Sequence, residues 1–181
     1  MKIRKLRAWI SDNCSTISAY DIIMEQKLTK EQTREKALCL LEFRSHSKKE
    51  LCDKLIRAGA AEEDIDETVE FLFEYGFLDD LKYAVGKARD LANIKKFGRM
   101  RIYRDLQSRG ISAEYIEQAL SELDFDEEET LLPLMEKKLK GDFEKKSIDR
   151  AIRYFAAKGY RYDDIKRCID TLRNTEADNM I

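Results

Sequence analysis

The side chains in this sequence best able to do chemistry are basic, and they come in two clusters. Lys95, Lys96, Arg99, Arg101 and Arg104 form the first; Lys145, Lys146, Arg150 and Arg153 form the second, with Lys158 and Arg161 beyond it. Such clusters can meet the phosphates of DNA or the acidic patches of a protein filament. They can equally be a solvated helix face, since helical surfaces are often rich in Lys and Arg. Both clusters lack the bidentate base-reading context of a helix-turn-helix dimer, so DNA binding, to single or double strands, is expected to be weak and tolerant of sequence. Phe97, Tyr103, Phe143 and Tyr154 lie close by and could stack on bases, but core packing is the preferred reading for them.

Other chemistry is missing from the pattern. Cys14, Cys39, Cys52 and Cys168 form no C-x-x-C pair, and with His46 as the sole histidine no ligand set has zinc spacing. Reduced thiols are expected, Cys39 and Cys52 partly buried. His46 lies seven residues from Cys39 and six from Cys52, without the context of a catalytic triad. Neither a phosphate-binding loop nor a dinucleotide-binding glycine turn occurs, and the many carboxylates fall mostly on helix surfaces or in first turns rather than around a pocket. The expectation is a protein that is not an enzyme, uses no metal or cofactor, and acts by binding.

The elements that must carry the clusters are helices. Of 181 residues 39% are charged, Pro occurs once and Gly seven times, so helix formers abound and breakers are scarce. No apolar run approaches the roughly 20 residues that span a bilayer, and the N-terminus, despite Lys2, Arg4, Lys5 and Arg7, lacks the apolar stretch of a secretion signal. A cytoplasmic protein without membrane contact is expected. The net charge of −2 hides an asymmetry: residues 1–60 carry 13 basic and 8 acidic side chains, 61–130 carry 9 and 19, and 131–181 carry 12 and 9. A net acidic chain binds naked DNA weakly and with steep salt dependence, which favours a composite surface of protein plus DNA as its target. A monomer is expected, although acidic and basic blocks could pair between chains.

An internal repeat is the strongest signal. Leu51, Leu55, Gly59, Ile65, Val69 and Leu72 are separated by 4, 4, 6, 4 and 3 residues, and so are Ile102, Leu106, Gly110, Ile116, Leu120 and Leu123, and again Ala151, Phe155, Gly159, Ile165, Ile169 and Leu172. Apolar residues four apart share a helix face, and the glycine after them can take the left-handed conformation that ends a helix. Arg57, Arg109 and Lys158 put positive charge at the helix ends, and Asp64, Glu114, Asp163 and Asp164 put negative charge at the next helix starts. Ser47 and Glu50 make a capping box, and Ser112 and Ser147 are N-cap candidates.

A further helix precedes each pair. The first runs from Arg34 to about Arg44 with Ala37, Leu38 and Leu41 inward. The second runs from about Asp79 to Ile94 with Leu81, Ala84, Ala88 and Leu91 inward. The third runs from about Glu128 to Lys140 with Leu132, Met135 and Leu139 inward, Pro133 being harmless only in its first turn. The expected fold is all-α: three tandem three-helix repeats, at 34–77, 78–125 and 126–181, stacked into an elongated, curved, right- or left-handed array. Residues 1–33 form an extension matching no copy. Trp9, Ile10, Ile17, Ile22 and Ile23 suggest an amphipathic segment folded on the first unit or, alternatively, a mobile arm, and Thr29 reads as the cap of a helix start.

Two stretches go beyond geometry. Ser47-Lys48-Lys49-Glu50-Leu51 with Lys54, Leu55 and Gly59, followed by Gly76-Phe77-Leu78-Asp79-Asp80 with Tyr83 and Ala84, resembles the RecX family of recombination regulators. Gly98, Arg101-Ile102, Leu106 and Arg109-Gly110-Ile111 continue the likeness, as does Lys158-Gly159-Tyr160, so that it covers roughly residues 34–173. The chain departs from the family pattern at Phe155, where leucine is more typical, and residues 1–33 have no clear counterpart. The resemblance implies three tandem three-helix repeats, no enzymatic activity, and binding to the RecA recombinase filament on DNA, restraining filament growth, strand exchange and co-protease activity in DNA repair and the SOS response. A helical-repeat scaffold that binds protein without nucleic acid is the alternative. In the Gly-Phe-Leu-Asp-Asp turn the preferred reading is structural: Gly76 ends a helix, Phe77 and Leu78 plug the joint between units, and Asp79 or Asp80 caps the next helix. Direct contact of the aspartates with a partner is the other.

Overall fold

The computed structural model describes residues 28–179, so the segment around Trp9, Ile10, Ile17, Ile22 and Ile23, with Cys14, lies outside the described residues. The described chain is all-α, with nine helices: α1 (Lys30–Phe43), α2 (Lys48–Arg57), α3 (Glu62–Glu74), α4 (Asp80–Asn93), α5 (Arg99–Ser108), α6 (Ala113–Ser121), α7 (Glu127–Leu139), α8 (Lys145–Ala157) and α9 (Tyr162–Asn179). No described helix is long and apolar enough to cross a membrane.

The repeat pattern is the core pattern. Leu51, Leu55, Ile65, Val69 and Leu72 are buried in one cluster, Ile102, Leu106, Ile116 and Leu120 in a second, and Ala151, Phe155, Ile165 and Ile169 in a third. Leu123 and Leu172, last in their copies, pack half-buried against the same clusters. The glycines stand where left-handed backbone is needed: φ is +87° at Gly59, +80° at Gly110 and +93° at Gly159, and the following residue reaches back to the helix, as when the Ile111 amide donates to the Leu106 carbonyl. Phe155 lies edge-on to Tyr154 and Tyr160, ring centroids 5.0 and 6.0 Å away, so a planar side chain fills that core position.

Extensive helix pairing stays inside the triplets α1–α3, α4–α6 and α7–α9. Each triplet closes its own apolar core, and hydrogen bonds join one triplet to the next.

Several local expectations are corrected. Helix α1 starts at Lys30, four residues before Arg34, with Thr29 capping it as expected and completing a capping box with Gln32. The Leu28 amide just ahead of it donates to the Gly59 carbonyl at 3.1 Å. Ser112 caps α6 as expected, but Ser147 does not cap α8: the helix begins at Lys145 with Glu144 as N-cap, and the Ser147 hydroxyl turns to Asp142. Pro133 is the seventh residue of α7, past the first turn, so it leaves the Glu129 carbonyl without its helical donor. In α4 Tyr83 takes a buried place while Leu81 is only half-buried. In α7 Leu131 is fully buried and Leu132 half-buried. Cys39 is exposed, Cys52 half-buried and Cys168 buried, all as free thiols. Burial pushes the Cys168 thiol up to about 11, which leaves it inert.

Candidate partner interface

The second helix of the second and of the third triplet ends against the start of the second helix of the triplet before it. At the first joint, Ser47, the N-cap of α2, accepts a hydrogen bond from the Glu50 amide and donates one to the Arg109 carbonyl at the end of α5, 2.7 Å away. Lys49 Nζ adds a bond to the Ser108 carbonyl at 3.2 Å. At the second joint, Gly98, the N-cap of α5, donates its amide to the Lys158 carbonyl at the end of α8, 3.0 Å away. Thus α8, α5 and α2 follow one another, C-terminus to N-terminus, and each joint feeds an orphan carbonyl at one helix end with a donor from the next.

The two joints are capped differently. Gly98 has no side chain to cap α5, so Glu127, from the start of α7, supplies the acceptor for the Arg99 amide at 2.7 Å. A Cβ at position 98 would strike the Gly159 carbonyl, and one at 159 would strike the Arg101 backbone. Both glycines are therefore demanded by backbone approach. Burial holds the Glu127 carboxyl above its ordinary value, partly offset by the Arg99 amide. Tyr160 closes this joint by donating to the Lys96 carbonyl at 3.3 Å, and burial pushes its hydroxyl up to about 12.

Around the first joint a charged network forms. Arg109 pairs with Glu50 and, at 2.6 Å, with Asp105, and it donates to the Tyr83 hydroxyl at 3.2 Å; Arg44 reaches Glu50 from the other side at 3.2 Å. Burial pushes the Glu50 carboxyl up, but the charges of Arg109 and Arg44 outweigh it and hold the group below its ordinary value. Glu50 is thus spent on Arg109 and Arg44, so the capping box expected with Ser47 is only half made.

The Gly-Phe-Leu-Asp-Asp turn does the structural work expected of Gly76, Leu78 and Asp79, and departs from expectation at Phe77 and Asp80. Gly76, at φ +70°, ends α3. Leu78 is buried but Phe77 is 55% exposed, so only Leu78 plugs the turn. The two aspartates cap different helices: Asp79 accepts from the Lys82 amide of its own helix at 2.8 Å, and Asp80 accepts from the Lys48 amide at the start of α2, also at 2.8 Å. His46 is buried beside this turn. Its Nδ1 donates to the Arg44 carbonyl at 2.8 Å, leaving Nε2 buried with no partner among the described residues. Desolvation holds the ring below its ordinary pKa.

The basic clusters sort into exposed and inward-turned groups. Lys95, Arg101, Arg104, Lys145, Lys146, Arg150 and Arg153 are exposed. Arg101 and Arg104 are three apart on α5, and Lys146, Arg150 and Arg153 share a face of α8. Arg99 corrects the expectation: it is half-buried, and its guanidinium donates to the carbonyls of Leu120 at 2.9 Å and Phe125 at 3.3 Å. Lys96, with a half-buried side chain and φ +53°, shapes the loop. Lys158 is half-buried and donates to the Lys95 carbonyl across the joint at 3.2 Å. Phe97, Tyr103 and Phe143 pack against the cores as preferred, whereas Tyr154 is 43% exposed. Sequence reasoning missed Lys48 and Lys49 as exposed cations at the first joint, where the repeat of Ser47 and Gly98 ahead of each second helix was the signal.

The first two triplets match known domains. The first three-helix domain of RecX matches residues 34–72, and the second matches residues 79–120. A regulatory protein RecX of Clostridium botulinum is 35% identical over 149 residues, covering 79% of this chain and 69% of the relative. One from Vibrio parahaemolyticus is 35% identical over 135 residues, covering 74% and 86%.

The chain belongs to the RecX family.

A crystal structure of RecX from Lactobacillus salivarius superimposes with a TM-score of 0.70 at 25% identity, over 80% of this chain and 96% of that one. A second RecX crystal structure, at 19% identity, shares the fold with a TM-score of 0.68. RecX proteins are regulatory and non-enzymatic, so the task of this fold is to present surfaces, and its joints decide which surfaces face the same way.

Proposed function

We propose that this chain modulates the RecA recombinase by lying along the RecA-DNA filament, restraining strand exchange and co-protease activity as an inhibitor in the bacterial cytoplasm. The end-to-end order of α8, α5 and α2 carries the reading, because a partner with a repeating surface is best matched by a ligand whose own units are chained in one direction. Three units, at 34–77, 78–125 and 126–181 with the first turn of α1 added to the first, each bring exposed cations. Lys146, Arg150 and Arg153 come from one, Arg101 and Arg104 from the next, and Lys48 and Lys49 from the first. These meet DNA phosphates or acidic filament patches without reading sequence, and a single chain suffices.

The test is recombinase strand exchange on single-stranded DNA, with and without the protein. Inhibition by the wild type, relieved by charge reversal at Arg101, Lys146 and Arg150 in a folded variant, supports the reading. Absence of any effect of the wild type removes it. A scaffold function without nucleic acid is favoured by one observation, a groove of about 620 Å³ on α1 where Leu38, Cys39, Leu41 and the exposed Phe77 lie among charged side chains of the same helix. A partner captured equally with and without nuclease treatment would support that alternative.

A further inference from the structure

Gly86 is the one glycine inside a described helix, and none of the described residues requires it. Its backbone is helical, and a Cβ built there would meet nothing within 4 Å, unlike Gly98, Gly110 and Gly159, where a Cβ would collide. Glycine in a helix interior is disfavoured relative to alanine, so its use on a face left open by the described residues points to something that approaches the α4 backbone from beyond them. The surroundings give that something a charge. Gly86 is the floor of a concavity of about 390 Å³ between the end of α1 and the face of α4, walled by Arg44, Lys82, Lys87 and Arg89, with Asp90 its only carboxylate. Lys82, Gly86 and Arg89 are spaced to share one helix face. Among the described residues Lys82, Lys87 and Arg89 make no ion pair, whereas Arg44 is held in place by Glu50. This cluster sits in the acidic third of the chain, where basic residues are scarce.

We infer that the Gly86 concavity is a seat for the phosphodiester backbone of a nucleic-acid strand. The inference deepens the filament reading and rests on it for the presence of nucleic acid. A phosphate fits better than an acidic peptide because peptide recognition relies on buried aromatic or aliphatic anchors, and the only aromatic side chain here, Tyr83, is already 7% exposed and occupied by Arg109. Without a free ring there is nothing to stack a base on, so the seat takes the backbone and ignores sequence. Because Arg44 comes from the first triplet and the other cations from the second, the seat exists only while the first joint is closed.

The experiment is fluorescence anisotropy of a labelled oligodeoxythymidine with the full chain, without recombinase, across a salt series. One variant carries Lys82→Gln, Lys87→Gln and Arg89→Gln; the other is Gly86→Leu, which keeps every charge, improves helix propensity and fills the floor. The triple variant is expected to weaken binding about tenfold or more at low salt and to flatten the dependence of log K on log salt by about 2, near 0.7 for each phosphate that is no longer neutralised. Gly86→Leu is expected to weaken binding several-fold at a melting temperature equal to or above wild type. Wild-type oligonucleotide affinity in either variant overturns the inference, as does no binding by the wild type at low salt. Loss of filament association with oligonucleotide affinity unchanged also overturns it and assigns the concavity to protein. Strand exchange measured in parallel separates the two readings: oligonucleotide binding weakened by Gly86→Leu, with no effect of the wild type on the recombinase, keeps this inference and sinks the filament reading.

Discussion

The hydroxyl of Ser47 donates to the carbonyl of Arg109 at 2.7 Å, across 62 residues of sequence. The same hydroxyl accepts the Glu50 amide and so caps α2, which means that one oxygen both starts a helix in the first triplet and ends one in the second. Replacing Ser47 by alanine removes a cap and a buried inter-triplet bond together. A loss of about 1–3 kcal/mol is expected in urea denaturation. A loss below about 0.5 kcal/mol would show that the bond contributes little to the joint.

Glu50 and Arg109 should be energetically coupled. Their side chains are 19% and 26% exposed, well below the exposure at which solvent erases an ion pair. A double-mutant cycle with Glu50→Gln and Arg109→Gln is expected to return an interaction of about 1–2 kcal/mol; additive single effects would mean that the two groups act independently.

The joints should respond oppositely to acid. Glu50 titrates below its ordinary value in the folded chain, so its ionisation stabilises the fold above the unfolded pKa, and that contribution disappears as pH falls through the folded value. Glu127 titrates above its ordinary value because it is buried, so the folded state prefers it protonated, an advantage that vanishes as pH rises through its folded pKa. Stability measured against pH across the carboxylate range should lose part of its acid slope in Glu50→Gln. Glu127→Gln, whose amide oxygen can still accept the Arg99 amide, should be as stable as wild type or more so at neutral pH. The reverse pattern would contradict these assignments.

Alanine at the left-handed glycines should rank by what the new Cβ meets. Gly76, Gly110 and Gly159, three of the left-handed glycines, share the conformational cost of positive φ, about 1–2 kcal/mol. At Gly76 none of the described atoms lies within 4 Å, and at Gly110 the nearest is the Lys49 Cβ at 2.7 Å, which is fixed to the α2 backbone, so the first joint must shift to admit the new methyl. At Gly159 the obstacle is the Arg101 backbone, so this variant should melt lowest and Gly76→Ala highest. Equal melting temperatures would mean that the α8-to-α5 approach is not tight in solution.

Within the first basic cluster, stability should separate joint from surface. Arg99→Gln abandons the Leu120 and Phe125 carbonyls and is expected to cost about 1–3 kcal/mol. Arg101→Gln and Arg104→Gln, on exposed positions, should stay within about 0.5 kcal/mol of wild type. Arg99 is therefore a poor choice for probing a partner surface, because its loss loosens the second joint first.

What the sequence determined by itself was the helix and the triplet. The spacing of Leu51, Leu55, Gly59, Ile65, Val69 and Leu72, repeated twice, follows from the 3.6-residue turn and the glycine stop, both local properties of the chain, and the buried residues fall on that spacing. Asp79 as a cap was legible for the same reason. What only the tertiary structure decided was how the triplets meet. The Arg109 and Lys158 carbonyls that end one helix on the start of another belong to the backbone, so residue types mark the joint only on its other side, at Ser47 and Gly98, without naming the partner. Whether Arg99 faced solvent and whether Phe77 was covered depended on neighbours distant in sequence: carbonyls at Leu120 and Phe125 that drew one side chain inward, and a turn that buried Leu78 and left Phe77 out. Helical periodicity states which residues share a face; which face meets the next module is settled by long-range polar contacts that no local pattern encodes.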